Sequence, residues 1–231
     1  MSNKLIIYHG SPNNIEKPKL GLGNPHNDYG LGFYCTLELE LAKEWACSAD
    51  SGGFANRYLL DVSKLRTLNL SSGEYSILSW LSVLLNNREF RIASDIAAEA
   101  RDYLLQEFLP EYEQYDVIMG YRADDSYFSF ARAFLNNTLS LAQLEKAMFL
   151  GRLGQQIVLK SESAFAMLQY QGYEIAEQTE YFPRRMARDQ EARRALAAER
   201  RIGRATDAVY MIDILRGEWK KDDPRIRRVI S

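Results

Sequence analysis

The 231-residue chain is 46% hydrophobic and 26% charged, the composition of an ordinary folded globule rather than a disordered or fibrous chain. A net charge of -2 supplies no global pull toward nucleic acid or anionic membrane, so any such partner must be met by a local patch. Two cysteines and two histidines, with no Cys or His at ligand spacing around Cys35 and Cys47, argue against a zinc site and for two small core fillers.

Met1-Ser2-Asn3-Lys4 leads straight into apolar sequence with no basic-then-apolar leader, and no run reaches the ~18 apolar residues of a membrane span. The expectation is a cytoplasmic protein with no membrane partner. Leu5 to Tyr8 is an apolar run of strand formers, and His9-Gly10-Ser11-Pro12 follows it directly. An imidazole and a pliable backbone therefore stand at a strand exit, where pockets are commonly built. Asn13 to Asn27 carries Pro18, Pro25, Gly21 and Gly23 and reads as a loop over that pocket, with His26 on its surface.

Asp28-Tyr29-Gly30-Leu31-Gly32-Phe33-Tyr34-Cys35-Thr36 repeats the design: a flexible approach, then a short strand of alternating aromatic and small residues. Leu37 to Ala49 follows as a helix with Leu37, Leu41 and Trp45 on one apolar face turned to the core. Asn56 to Val62 and Arg66 to Leu70 read as strands, and Glu74 to Asn86 and Ile92 to Phe108 as scaffold helices, the second closed by Pro110.

Tyr115 to Gly120 is a further strand, and its exit carries Asp124 and Asp125 beside Arg122. Such a pair is either an N-cap for the helix at Ser126 to Leu135 or a functional acid pair, and the residues alone leave both open. Ser140 opens a helix that runs to about Leu150 with Gln143 in capping-box position. Gln155 and Gln156 then enter a strand through Lys160, either as solvated strand-edge amides or as site residues. A short helix at Ser161 to Leu168 and a last strand at Gly172 to Gln178 close the predicted core.

From Arg184 to Arg204 there are eight arginines against Asp189, Glu191 and Glu199, a local charge of +5 on an alanine-rich, helix-favouring stretch. That face is either solvated or a phosphate-binding surface. Ala208 to Leu215 is apolar enough to dock back on the core.

Tyr8-His9-Gly10-Ser11, followed by the Asp28 to Thr36 element, resembles the first two signature elements of the mono-ADP-ribosyltransferases and poly-ADP-ribose polymerases, and is most similar to an uncharacterised bacterial branch of that superfamily. The resemblance runs over about three quarters of the chain and implies an α+β fold: an ADP-ribosyltransferase-like core of two small packed β-sheets with helical insertions and a C-terminal helical extension. The implied division is 1–180 for the core and 181–231 for a basic helical extension packed on it. The implied substrate is NAD. His9 would bond a ribose hydroxyl, Gly10 would hold the nicotinamide amide through its backbone, Ser11 would complete the cofactor-binding element, and Tyr34 would stack on the nicotinamide ring. Where the superfamily opens a strand with glutamate, or in some branches glutamine, this chain has Gln156, the better match than Gln155 because three apolar residues follow it.

A glutamine keeps the hydrogen bond to a ribose hydroxyl but not the negative charge that would offset an oxocarbenium-like transition state. Asp124 and Asp125, which match an Ala-Asp-Asp in the bacterial relatives, are the candidates to supply it. The resemblance thus implies an NAD-dependent mono-ADP-ribosyltransferase acting on a protein or nucleic-acid acceptor, of the kind that serves as a bacterial toxin with a cognate antitoxin. The alternatives are a catalytically silent module that binds NAD or ADP-ribose, and an NAD glycohydrolase.

Overall fold

A computed structural model describes residues 3–92, 94–123, 125–150, 154–201 and 208–226. Its centre is one mixed sheet of seven strands in the order β4-β5-β6-β2-β1-β3-β7. These are β1 (Lys4–Ser11), β2 (Phe33–Thr36), β3 (Gly53–Asp61), β4 (Thr67–Asn69), β5 (Val117–Tyr121), β6 (Gln155–Leu159) and β7 (Leu168–Ala176). Among the described residues eight helices accompany them: α1 (Leu39–Ala46), α2 (Ile77–Asn87), α3 (Asp95–Glu107), α4 (Asp125–Leu135), α5 (Leu141–Leu150), α6 (Glu162–Ala166), α7 (Gln178–Arg201) and α8 (Met211–Arg216).

The expectation of two small packed sheets is therefore overturned. β1 is the reason, because it is bonded on both sides. It pairs with β3 over its whole length, from Lys4↔Asp61 to Ser11↔Phe54, and meets β2 at Tyr8↔Thr36. β2 continues into β6 and β6 into β5, so the hydrogen-bonded ladder is unbroken. The join between β1 and β2 is nonetheless narrow. Past Tyr8↔Thr36 the cross-strand bond belongs to a side chain: His9 Nδ1 lies 2.7 Å from the Tyr34 carbonyl oxygen.

Strand alternation divides the core in two. Ile157, Leu159, Val117, Cys35 and Ile7 gather under α6 on one face, while Val158 and Ile118 join α2, α3, α4 and α5 on the other. By the registers Tyr8↔Thr36 and Thr36↔Gln156, the residues Gly10, Tyr34 and Gln156 share the second face. Gly10 is needed there for space. A Cβ at this position would stand 2.0 Å from the Ala42 carbonyl oxygen and 2.9 Å from the Trp45 Cβ, so only glycine lets α1 lie so close to β1.

Several sequence boundaries shift. α1 starts two residues later than the pattern suggested, and Leu37, 42% exposed, lies before it rather than on its core face. Leu41 alone of that triplet is fully buried, and Trp45 turns to the cleft described below. The last strand begins at Leu168 rather than Gly172, and the arginine-rich helix begins at Gln178, with Pro183 inside it. The strand shift has a clear cause: β7 pairs with β3 from Gly53↔Ala176 to Leu60↔Leu168, and a long partner extends a strand beyond its own propensity.

The loop at 12–32 is pinned at both ends. Near its start, Asn56 accepts from Ile15 N–H (2.8 Å) and donates to the His9 and Asn13 carbonyls (3.2 Å each), while the Tyr58 hydroxyl donates to Ile15 O. Near its end the buried Tyr29 donates its hydroxyl to Tyr121 O at 2.6 Å, over Gly120, where a Cβ would stand 2.3 Å from that hydroxyl. Between the pins the loop is exposed, Leu22 to 79%.

Candidate functional site

At the seam between β1 and β2 a cleft of ≈ 300 Å³ opens on the helical face of the sheet, at the small end of the range for small-molecule sites. Its floor is built by His9, Gly10, Tyr34 and Gln156. Three chain segments far apart in sequence meet there only because β2 is inserted between β1 and β6. The walls come from Trp45 on α1, Asn27 and Asp28 in the loop, Arg88 at the end of α2, Arg122 and Ala123 after β5, and Arg185 on α7.

His9 is fixed by its bond to the Tyr34 carbonyl and by its ring against Phe33, with centroids 4.3 Å apart. A carbonyl only accepts, so Nδ1 carries the proton and Nε2 is left as an acceptor. Burial pushes the imidazole below its ordinary 6.5, and the bond to Tyr34 opposes that only in part. His9 is thus neutral at pH 7, the form that accepts a bond from a hydroxyl.

The sign of its pH dependence follows. Between the lowered native value and 6.5 the unfolded chain binds more protons than the native one, so the stability tied to His9 is complete above 6.5 and falls as pH drops below it. A ligand hydroxyl held by Nε2 keeps its partner through that window and loses it only as pH falls through the lowered native value. We expect the His9 imidazole, followed by nitrogen NMR with His26→Gln to assign the signals, to titrate below 6.5; a midpoint at or above 6.5 contradicts the buried neutral imidazole.

Tyr34 presents its ring to the cleft while its hydroxyl is occupied elsewhere, donating to Gly30 O and accepting from Tyr29 N–H at 3.1 Å. Burial raises this phenol far above its usual range, so it stays protonated. The ring is available for stacking and the hydroxyl closes the loop end. Ser11 differs from its expected place: its hydroxyl accepts from Asn13 N–H at 3.2 Å and starts the turn into the loop, and it is not among the cleft-lining residues.

The two strand-opening amides part company because a strand alternates. Gln155 donates to Ser71 Oγ (2.6 Å) and Asn69 Oδ1 (3.2 Å) on the far side, whereas Gln156, only 7% exposed, faces the cleft. Gln156 Oε1 is buried without a hydrogen-bond partner among the described residues, and so is Trp45 Nε1 in the wall of the same cleft. Leaving such atoms unmet costs about 1–3 kcal/mol each. Two of them lining one cleft mark the places where a ligand would complete the bonding.

Of the acid pair, Asp124 lies outside the described residues; Asp125 is the first residue of α4, and its side chain is likewise outside them. Ala123, immediately before them, lines the cleft and donates its N–H to Asp28 Oδ2 at 2.9 Å. Asp28, 5% exposed, also forms an ion pair with Arg88 Nε at 2.8 Å. The described lining residues include three guanidinium groups and this one carboxylate, which leaves the cleft two positive charges ahead. An anionic ligand suits it.

Sequence reasoning missed most of the wall. Asp28 stands inside a quoted element but is not singled out there, Trp45 reads as core, and Arg88 is a single arginine with no local mark, while Arg185 belongs to the arginine-rich stretch that reads as a solvated or phosphate-binding face. Among the described residues no group of three His, Cys, Asp or Glu is arranged to hold a metal ion, and no helix is long and apolar enough to cross a membrane.

Fold and site together define an α+β protein with a polar, cationic cleft at the seam of a single mixed sheet. The family described as "Protein of unknown function (DUF3990)" matches residues 5–170, and the chain belongs to that family. The match runs from the second residue of β1 to the third of β7, takes in the cleft floor, and ends before α7. No curated protein and no solved structure matches the chain.

Proposed function

We propose that the cleft binds NAD and that the protein is a mono-ADP-ribosyltransferase which passes a single ADP-ribose unit to a macromolecular acceptor. The observation that carries this reading is the convergence of His9, Tyr34 and Gln156, the three positions of the resemblance, in one cleft with an unmet buried amide oxygen. Each has chemistry to offer. The neutral His9 accepts from a ribose hydroxyl, the Tyr34 ring gives nicotinamide a stacking surface, and the Gln156 amide reaches a second ribose hydroxyl. The excess positive charge suits a pyrophosphate.

Breaking the bond between nicotinamide and ribose spreads positive charge over the anomeric carbon and ring oxygen. Gln156 positions but does not neutralise. In this reading the neutralising charge comes from Asp124 or Asp125, which follow the cleft-lining Ala123 directly in the chain. Loss of the glutamate argues against chain elongation and for transfer of one unit. The acceptor is a protein or a nucleic acid, and a toxin with a cognate antitoxin and a cytoplasmic site of action fits the reading.

Binding tests it first. His9→Ala and Tyr34→Ala should each raise the dissociation constant for NAD several-fold, since a hydrogen bond and a ring stack are worth about 1 kcal/mol apiece. Because the Tyr34 hydroxyl also ties the loop end, Tyr34→Phe is the control that keeps the ring. Calorimetric titration in which both alanine variants bind NAD as the unaltered chain does would remove NAD from this cleft.

A further inference from the structure

α7 lies beyond the family-matched residues 5–170, yet it supplies a wall of the cleft through Arg185. The helix is seated on α1. Arg188 grips the buried Glu44 with two bonds of 2.9 Å, Arg184 reaches Glu40 at 2.7 Å, and Lys43 lies over the Tyr181 ring. That seating sets Arg185, whose Nη1 donates to the Cys47 carbonyl at the end of α1 at 2.8 Å. One of its five donors is thereby committed, and the guanidinium is oriented by that bond along the cleft wall.

Arginine at this place does more than a capping bond requires. Its fork matches two oxygens of a phosphate, and the cleft it lines already carries more positive than negative charge. The same cleft holds a neutral imidazole acceptor and an unmet amide, groups that suit sugar hydroxyls. A sugar phosphate satisfies both sets, and a simple carboxylate satisfies one.

We propose that Arg185 binds a phosphate or pyrophosphate group of the molecule in the cleft, so that α7 completes a site whose floor the family-matched segment builds. The identity of that molecule as a dinucleotide rests on the reading above; the phosphate contact itself does not. It makes the arginine-rich extension part of the ligand site and not only a solvated face.

The test is calorimetry on the full chain with three probes: NAD, inorganic pyrophosphate, and nicotinamide riboside, which has no phosphate. Arg185→Ala should weaken NAD and pyrophosphate by about tenfold and leave nicotinamide riboside and the melting temperature close to unaltered. Arg185→Lys should recover part of the loss, because it restores charge without the fork, and Arg193→Ala, whose arginine pairs with Asp189 within α7, should change nothing. Arg185→Ala binding NAD at full strength overturns the inference and leaves the dinucleotide reading standing. Pyrophosphate binding that depends on Arg185 in a chain that ignores NAD does the reverse. Equal losses on all three probes mean that the residue only holds the wall in place, and binding of neither NAD nor pyrophosphate by the unaltered chain overturns both.

Discussion

Asp28→Ala should cost the fold about 3 kcal/mol, equivalent to roughly a 10 °C fall in melting temperature for a chain of this size. The carboxylate is 5% exposed, and it holds two separate pieces of chain, Arg88 at the end of α2 and the Ala123 N–H after β5. Removing it takes a buried ion-pair partner from Arg88 and the acceptor from the Ala123 N–H, so the penalty combines a broken buried pair with an unmet donor. Arg88 also lies over the Phe128 ring at 5.1 Å, a cation–π contact that the substitution leaves in place. Asp28→Asn keeps an acceptor for Ala123 and should cost about half as much. Denaturant midpoints at unchanged slope give the measurement; a loss under about 1 kcal/mol for the alanine variant would place the pair among solvated surface bridges.

The second large effect concerns where catalytic charge resides. If Asp124 or Asp125 faces the developing cation, changing that residue to Asn keeps shape and bonding while removing charge, and should slow single-turnover nicotinamide release about a hundredfold, or about 3 kcal/mol. Gln156→Ala deletes a positioning bond and should cost about tenfold. The Gln156 amide oxygen is buried with no hydrogen-bond partner among the described residues, so its removal takes no bond from a described protein group at that atom. Gln156→Glu adds charge to a cleft with positive excess and should raise the rate. Should both Asn variants keep full rate while Gln156→Ala is dead, the acid pair is a helix cap and the strand-opening amide acts alone. A Glu variant active where the unaltered chain is silent would make the natural protein a binding module.

How far the sequence reaches can be judged residue by residue. Leu5 to Tyr8 and Phe33 to Thr36 announced their strands by composition and by the glycines beside them, and Gln156 was separable from Gln155 by the apolar run that follows, which alternation then sent to the cleft face. Local pattern cannot count sheets. Whether β1 ends one sheet or joins two halves depends on Tyr8↔Thr36, a pairing across nearly thirty residues of chain that leaves no trace in either segment. The meeting of Arg88, Arg122 and Arg185 in one cleft is illegible for a related reason. Each is one arginine among many, and only the docking of α2, the exit of β5 and the seating of α7 on α1 bring them to one place. Ser11 shows the opposite failure: a motif residue whose neighbour, Asn13, offered its hydroxyl a closer partner.

The most direct test of the central reading is incubation of the purified full chain with NAD labelled in the adenylate half, alone and with cell extract, followed by assay of free nicotinamide and of labelled macromolecule. The account predicts nicotinamide release accompanied by label on protein or nucleic acid in the extract, with both reduced together in His9→Ala at NAD concentrations below saturation. Nicotinamide without labelled acceptor would make the protein a glycohydrolase, binding without turnover a silent module, and neither binding nor turnover of NAD would contradict the account.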